Sequence, residues 1–548
     1  MSSYQNAYIL NAMRKKIPPK THHPLIQSLM NPGIYDHPVK RCRLIETHIS
    51  WVILTGTYAY KLKKPLNLGF LDFSSLTQRR FFCEEELRLN QRLAPELYLS
   101  VESITGAVDH PVFNGPGDPI EYAVKMAEFS QNAQMDRLLS RGRLKPEHMD
   151  ALAKMISGFH HQAAIVDPGQ SFGDAKAVQK PVLENFSQIR KYLSCPDDRR
   201  LLDELECWTQ SAIRKLTPVF AGRKAKDKIR ECHGDLHLKN LAWLNGGPVA
   251  FDCIEFNPNL RWIDVINDAA FLVMDLLDRS RPDLAWRFFN RYLETGGDYD
   301  GISVFRFYVV YRALVRAKIH GIRMGQADVS PTGRTLAERA CRDYLCLACK
   351  TISPRATPLI ITCGPSASGK STLTQPLLEQ LGAIRLRSDV ERKRIHGIDP
   401  NQSAGASRGQ GIYSGQANRR TFDYLVRLAG QILDAGFPVI VDAAFLNHAH
   451  RYPFEKLAAE KQADYIILDF RTSANELRRR IAQRTGDVSD ANLNILEHQL
   501  MVRRPLSDPE MTHAIVIDTE APFNPVLLAK QITARSTRIP EYLKNSGP

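Results

Sequence analysis

Residues 358–372 read PLIITCGPSASGKST, a short apolar run that stops at Gly364, crosses a loop of small residues and opens on Lys370, Ser371 and Thr372. This order predicts a buried strand, a tight loop and the first turn of a helix. The small residues Gly364, Pro365, Ser366, Ala367, Ser368 and Gly369 let successive backbone N–H groups turn inward around an anion, and the helix start adds its dipole. In such a loop Lys370 neutralises the β and γ phosphates of a nucleotide and the Ser371 hydroxyl ligates magnesium. The expectation is an ATP–Mg2+ site built by residues 364–372, Thr372 included.

Downstream the alternation continues. PVIVDAAF and ADYIILDF are two further short apolar strands, each followed by a helical pattern, so an α/β domain with a parallel sheet is predicted. Asp442 ends the first of these strands, where a carboxylate can hold the magnesium shell. RLRSDVERKR places Asp389 and Arg392 three apart at a helix start, hence on one face. Asp389 is expected to be the base that accepts the proton of an acceptor hydroxyl, and Arg392 a clamp on substrate or phosphate. NELRRRIAQRTGDVSDA puts Arg480 and Arg484 four apart on a helix that runs into a polar loop, a candidate lid bringing cationic charge over the transferring phosphoryl group. On GPSASGKST, SDVER, VIVDAAF and the arginine helix, residues of about 355 to 535 resemble the P-loop kinases. That group includes chloramphenicol phosphotransferase, zeta toxins, gluconate kinases and the kinase half of polynucleotide kinases. The resemblance implies the catalytic-base role for Asp389. Many of these relatives carry Thr or Asn soon after the strand-end Asp, and here Ala443 and Ala444 follow it.

A second phosphate-handling pattern lies upstream. HGDLHLKN supplies Asp235 with Asn240 five residues later, and VAFDCIEF adds Asp252 twelve residues beyond. Phosphoryl transfer from ATP requires a carboxylate that orients the hydroxyl and an amide plus a second carboxylate that hold magnesium, and Asp235, Asn240 and Asp252 have the spacing of that set. The octapeptide resembles the Brenner-type motif of aminoglycoside phosphotransferases, kinase-like enzymes that modify small molecules. The resemblance implies an N-lobe lysine and a helical glutamate upstream. ISWVILTGTYAYKLKKP reads as a strand pair carrying Lys61, with Lys63 next on the same strand face, and FFCEEELRLNQRLAP reads as the helix. There Glu86 sits beside the apolar stripe of Leu89 and Leu93, with Glu85 as the alternative. EYAVKM suits the strand leading to the adenine-binding hinge, and Asp264 in FNPNLRWIDVINDAAF is expected to brace the catalytic loop. A glycine-rich loop and an activation segment of the protein-kinase type are missing from the pattern. This side of the superfamily implies their absence.

Ten cysteines in 548 residues are too sparse for a disulfide framework, which points to a reducing compartment, and no apolar segment reaches membrane-spanning length. The cytoplasm is the expected location. Cys341, Cys346 and Cys349 have an iron–sulfur-like spacing, but RACRDYLCLACK has helical periodicity and predicts a buried helix face. The net charge of +14 is spread along the chain, which suits nucleotides and other anions more than a nucleic-acid partner. TISPRATP divides the chain. The expected organisation is an extension over 1–24, an α+β protein-kinase-like domain over 25–350, a linker over 351–358, an α/β P-loop (AAA-like) domain over 359–535 and a tail over 536–548. The whole resembles bacterial fusions of an aminoglycoside phosphotransferase-like domain with a P-loop ATP-binding domain. It predicts a phosphotransferase with two ATP–Mg2+ sites acting on hydroxyls of small molecules. The alternatives are a P-loop half that acts as a nucleotide-binding switch, or as a 5′-end kinase of nucleic acids.

Overall fold

Runs with one buried and one half-buried face build an antiparallel sheet in the N-terminal half. Its strands are β1 (Arg43–Glu46), β2 (Ser50–Leu54), β3 (Tyr58–Lys63), β4 (Tyr98–Ala107), β5 (His110–Phe113) and β6 (Glu121–Ala127), in spatial order β1-β2-β3-β6-β4-β5. The computed structural model describes residues 23–536 apart from 68, 70, 327, 328, 400, 401, 403–410 and 484–491. The helix Leu76–Gln91 begins where the Ser75 hydroxyl accepts the Gln78 N–H, and it packs on β4 and β6. Its buried residues Arg79, Cys83, Glu86 and Asn90 recur at helical spacing, so Glu86 is aimed at the sheet. Arg79 ties this face to β6 through Glu121, with Nε to carboxylate distances of 2.9 Å.

Short elements bring the loop residues of the same unit together. β7 (Ile229–Glu231) precedes the HGDLHLKN loop, and β8 (Leu241–Leu244) and β9 (Gly247–Ala250) form a hairpin directly after it. Asn245 and Gly246 at its tip have φ of 49° and 81°, the paired positive values that a tight primed turn requires and Asn-Gly supplies. The hairpin therefore returns the chain, and the Phe251 N–H donates to the Asn240 carbonyl at 3.0 Å. Twelve residues of sequence separation collapse to neighbouring positions. β10 (Trp262–Asp264) then pairs antiparallel with β7.

The C-terminal half is an α/β layer. β11 (Leu359–Cys363), β12 (Ile384–Arg387), β13 (Val439–Asp442), β14 (Tyr465–Arg471) and β15 (Ala514–Asp518) form a wholly parallel sheet in the order β12-β13-β11-β14-β15. β11 and β13 are buried at every position, as expected of strands covered on both faces. The strand order reverses at β11, and the loops leaving the carboxyl ends of β11, β12 and β13 open a crevice there.

The described residues group into two compact units, the first from those up to Leu202, Thr217–Asp275 and Leu314–Tyr344, the second from Asp203–Leu216, Leu276–Ala313 and those from Leu345 onward. The second unit thus takes in a segment far upstream of the P-loop. Helix Pro282–Gly296 of that segment covers the free edge of β12: the Asn290 amide donates to the Ala383 carbonyl at 2.9 Å and accepts the Arg385 N–H at 2.8 Å. An open strand edge is satisfied by one side chain. Glu294 of the same helix stands 3.0 Å from Arg387 and 3.9 Å from Arg385, and the Arg394 guanidinium donates to its carbonyl. The helix Pro331–Ile352 carries Cys341, Cys346 and Cys349 on one element and runs to Ile352, two residues into the stretch expected as linker. Among the described residues no helix is long and apolar enough to cross a membrane. The expected extension, 1–24, and tail, 536–548, lie almost wholly outside the described residues.

Glu294→Ala leaves Arg385 buried without its nearest carboxylate, the costly way of breaking a buried pair. A loss of about 3 kcal/mol is expected in urea unfolding of the full chain followed by Trp fluorescence. An unchanged midpoint would show that Arg385 and Arg387 are adequately held by the remaining contacts.

Candidate active sites

The first site grows from β3. Residues two apart on a strand share a face, so Lys61 and Lys63 both reach the helix that carries Glu86. Lys61 Nζ donates to Glu86 Oε1 at 2.6 Å and to Asp252 Oδ1 at 2.6 Å. Lys63 Nζ donates to Glu86 Oε2 at 2.6 Å and to Glu255. Burial by itself pushes the Glu86 carboxyl up, but Lys61 and Lys63 outweigh it and hold it at about 2. The same balance keeps Lys61 charged: burial pulls its ammonium down, and Asp252 and Glu86 raise it well above the usual value. The two lysines differ in reach. Lys63 is sealed from water and closes on Glu255, whereas Lys61 keeps a small exposure and faces Asp252, half-open to solvent. Glu85 turns the other way, to Arg88 at 2.7 Å and Arg261 at 3.2 Å.

The HGDLHLKN residues are fixed by contacts within and beside their own loop. Asn240 Nδ2 donates to the Asp235 carbonyl at 3.1 Å and to its Oδ2 at 2.8 Å, and His237 Nε2 lies 3.3 Å from the same oxygen. Burial pushes the Asp235 carboxyl up, yet His237, Arg316 and His233 together hold it below the ordinary range. It is therefore an ionised hydrogen-bond acceptor, suited to orienting a hydroxyl. His233 receives the Asp235 N–H on Nδ1 at 3.2 Å and meets the Phe251 carbonyl with Nε2 at 2.9 Å. That network assigns the proton to Nε2 of a neutral ring. Gly234 has φ of 87°, and a Cβ there would stand 2.7 Å from the Leu260 carbonyl oxygen, so only glycine fits.

The brace of this loop is not the expected residue. Asp268, wholly buried on helix Val265–Asp278, accepts the N–H groups of His233 and Gly234, both at 2.9 Å, and meets His160 at 3.2 Å. Asp264 instead takes a bidentate hold on Arg223, at 2.5 and 2.7 Å, and caps Ile266. Four residues separate the two, and only the one inside the helix reaches back to the loop. Asp275, a further seven residues on, accepts the Leu238 N–H at 3.0 Å.

The second site lies at the carboxyl ends of β11, β12 and β13. Gly364 and Gly369 bound the loop, Ala367 takes a positive φ of 63°, and helix Lys370–Leu381 follows. A Cβ on Gly364 would fall 2.7 Å from Ser368 Oγ and 3.0 Å from the Phe470 carbonyl oxygen. Lys370 Nζ folds back on the Gly364 and Pro365 carbonyls, at 3.0 and 2.7 Å. The Ser371 hydroxyl donates to Asp442 Oδ2 at 2.6 Å. These two oxygens are adjacent, so the pair could hold a divalent ion beside the loop. The loop opens into a cleft of about 680 Å3, lined on its far side by Asp389, Arg392, Tyr413, Asn418, Phe422 and His450. Arg392 is buried, donates to the Ile412 carbonyl and Asn418 Oδ1, and lies 5.5 Å from the Tyr413 ring centroid; its Nε has no partner among the described residues. Burial lowers this guanidinium and Asp389 opposes the shift.

Arg480 sits at the loop, donating to Thr519 Oγ1 and its carbonyl at 3.0 Å and holding Glu476 at 2.7 Å. Arg484 and the polar loop after it lie outside the described residues. Thr372, Ala443 and Ala444 line the cleft wall. Two participants carried no signal in the sequence. Arg387 lines the cleft level with Asp442 in the parallel register, and Gln499, on helix Leu493–Val502, accepts the Ser366 N–H at 2.7 Å. Asn418 and Phe422, four apart on helix Gly415–Asp434, form a one-faced pair of the kind that helical spacing reveals only once the partner wall is known.

A family model described as an AAA domain matches residues 359–506. Uncharacterized proteins of Mycobacterium tuberculosis and Mycobacterium bovis are each 29% identical over 476 residues, covering 86% of this chain and 92% of theirs. Among solved structures, an amicoumacin kinase in complex with AMP-PNP and Ca2+ is 12% identical, with a TM-score of 0.38, over 62% of this chain and 95% of its own. A choline/ethanolamine kinase family protein of Mesorhizobium loti is 10% identical, with a TM-score of 0.36, over 59% and 97%. A gluconokinase of Sinorhizobium meliloti is 20% identical, with a TM-score of 0.24, over 35% and 97%. The observed sheets and loops make the chain a union of an α+β unit with an antiparallel sheet and an α/β unit with a parallel sheet and a phosphate-type loop.

Two outcomes follow from the geometry. Because the Glu86 carboxyl is depressed in the fold, its contribution to stability is complete above its ordinary value of 4.5 and is lost as pH falls towards about 2. Urea midpoints measured across that window should fall less steeply for Glu86→Gln than for the natural chain. Gln499 occupies the Ser366 N–H, a group that a phosphate bound in this loop would need. Gln499→Ala should therefore tighten ATP binding to the second site roughly fivefold, the worth of about 1 kcal/mol of hydrogen bond, read by calorimetry on the Lys61→Ala background. Weaker binding would make Gln499 a nucleotide contact.

Proposed function

We propose that the protein is an ATP–Mg2+-dependent phosphotransferase with two separate sites, each passing the γ-phosphoryl group to a hydroxyl of a small molecule. The observation that carries this reading is the second cleft: the phosphate loop opens into the same space as an acidic and a basic side chain, Asp389 and Arg392. A nucleotide switch has no use for an acceptor chamber of that chemistry. In the first site Lys61, oriented by Glu86, would meet the α and β phosphates, while Asn240 and Asp252 would hold the metal. In the second, Lys370 would meet the phosphates, and Ser371 and Asp442 would hold the metal. A magnesium ion held there would neutralise the charge that develops on the phosphates. The acceptor oxygen forms a bond to the γ-phosphorus as the bond from that phosphorus to the β,γ-bridging oxygen breaks. ADP leaves, and the hydroxyl proton passes to Asp235 in the first site or to Asp389 in the second.

Label transfer from γ-labelled ATP into a deproteinised metabolite extract, followed with separate variants, tests the assignment. Asp235→Asn should lower transfer to one product by roughly 10²- to 10⁴-fold, and Asp389→Asn and Lys370→Ala should lower transfer to a different one. If Asp389→Asn changes no product while Lys370→Ala alters the rate of the Asp235-dependent reaction, the P-loop half is a switch.

A further inference from the structure

Among the described residues, the lysine and arginine side chains that line the cleft of the second site are Lys370, Arg387, Arg392 and Arg480. Lys370 belongs to the phosphate loop, Arg387 holds Glu294 at 3.0 Å, and Arg480 holds Glu476 at 2.7 Å. Arg392 differs from them. It is only 7% exposed, yet it makes no ion pair among the described residues. Its partners are neutral: the Ile412 carbonyl at 3.1 Å, Asn418 Oδ1 at 2.9 Å and the Tyr413 ring, while Nε has none. Elsewhere in the same unit, the buried Arg451 is closed by Glu510 at 2.6 Å. A buried guanidinium without an anion keeps an uncompensated charge, and in Arg392 that charge lies on the wall of a cavity.

Asn418 holds this guanidinium in place. A guanidinium only donates, so Oδ1 faces Arg392 and Nδ2 donates to His450 Nε2 at 3.3 Å. The His450 ring therefore accepts on that nitrogen, is neutral, and stacks on Phe422 at 4.5 Å and 10°. The topology sets the cation on the acceptor's side of the cleft. The phosphate loop leaves β11, whereas Arg392 lies on helix Ser388–Ile395 directly after β12, and β13 runs between the two strands. Two strand spacings are about 10 Å, and Asp442 at the end of β13 stands in the middle. That gap suits an acceptor with its hydroxyl at Asp389 and a second group at Arg392. The wall beside it, Ala443, Phe445 and Phe422, is apolar. Among the described residues the carboxylates lining the cleft are Asp389, the base, and Asp442, the metal ligand. An anion on the acceptor thus completes Arg392, whereas an ammonium there would meet repulsion.

We propose that the acceptor of the second site is a small hydroxyl compound bearing a carboxylate or phosphate, bound with that group against Arg392 and with its hydroxyl at Asp389. This rests on the phosphotransfer reading of that site. The hydroxyl oxygen bonds to the γ-phosphorus, the bond to the β,γ-bridging oxygen breaks with ADP leaving, and Asp389 takes the proton.

The experiment passes a deproteinised extract of the source cells through an ultrafilter that holds back oligonucleotides. At neutral pH the filtrate is divided into material retained by an anion exchanger, material retained by a cation exchanger and unretained material. Each part, with the held-back material, is incubated with Mg2+, γ-labelled ATP and full-length Asp235→Asn protein, with the Asp235→Asn, Asp389→Asn double variant as blank. Asp389-dependent label is expected in the anion-retained filtrate. Treatment with a phosphatase that is removed before the assay abolishes it for a phosphate and spares it for a carboxylate, the two forms of the proposed class. Adding Arg392→Gln should raise the amount of fraction needed for half-maximal rate roughly tenfold, the loss of one charge-assisted contact. The response to ATP should stay unchanged, and Arg392→Lys, which returns the charge without the planar fork, should recover part of the loss. Label from the cation-retained, unretained or held-back material overturns the proposal, as does an Arg392→Gln variant whose responses to ATP and acceptor shift together. Absence of Asp389-dependent label from every fraction overturns the phosphotransfer reading beneath it.

Discussion

Glu86 has no access to water, and a carboxylate in that position is tolerable only because two ammonium groups face it. Much of the first site depends on this constraint. Lys63 satisfies one oxygen permanently and is itself closed off by Glu255, so Lys61 is presented to the other oxygen with one direction left, towards Asp252. A lysine held in this way needs little ordering to meet phosphate, which is what preorganisation means in electrostatic catalysis. The helix that carries Glu86 is in turn fixed to the sheet by Arg79 and Glu121.

The second site solves the same problem with neutral and single hydrogen bonds. Lys370 rests on two carbonyls of its own loop, the Ser371 hydroxyl rests on Asp442, and the Ser366 N–H rests on Gln499. Each group that would meet a nucleotide or metal has a local partner of modest strength, so binding exchanges hydrogen bonds instead of creating them from exposed groups. The loop can therefore be ordered without ligand. Its strain, in Ala367, is held by the packed strand before it and the helix after it.

How far the residues alone reveal this depends on the range of the interaction. The P-loop and HGDLHLKN are local patterns whose chemistry is written in adjacent residues, and the parallel and antiparallel sheets follow from runs buried on two faces or one. Lys61 and Lys63 could not be separated by periodicity, because they share a face. What separates them is Asp252, which arrives through a hairpin turned at Asn245 and Gly246. Asp264 and Asp268 were separable only by their partners: one meets Arg223, the other two loop N–H groups, and no spacing rule distinguishes an aspartate just before a helix from one inside it. Asn290 and Glu294 were out of reach for a different reason. They serve a strand edge about a hundred residues downstream, and a helix reads the same whether its polar face meets water or a strand.

That last point bears on what a domain boundary means in this chain. TISPRATP divides two composition patterns, yet the compact unit containing the P-loop includes residues 276–313. β12 carries Arg387 to the cleft and leads straight into the helix of Asp389 and Arg392; its free edge is satisfied by Asn290, and Glu294 holds its arginines. An edge strand without such cover exposes unpaired backbone groups and invites pairing with another chain. The second site is thus completed by sequence that the kinase-like pattern would claim for the first, and the linker joins two sites whose supporting elements already overlap along the polypeptide.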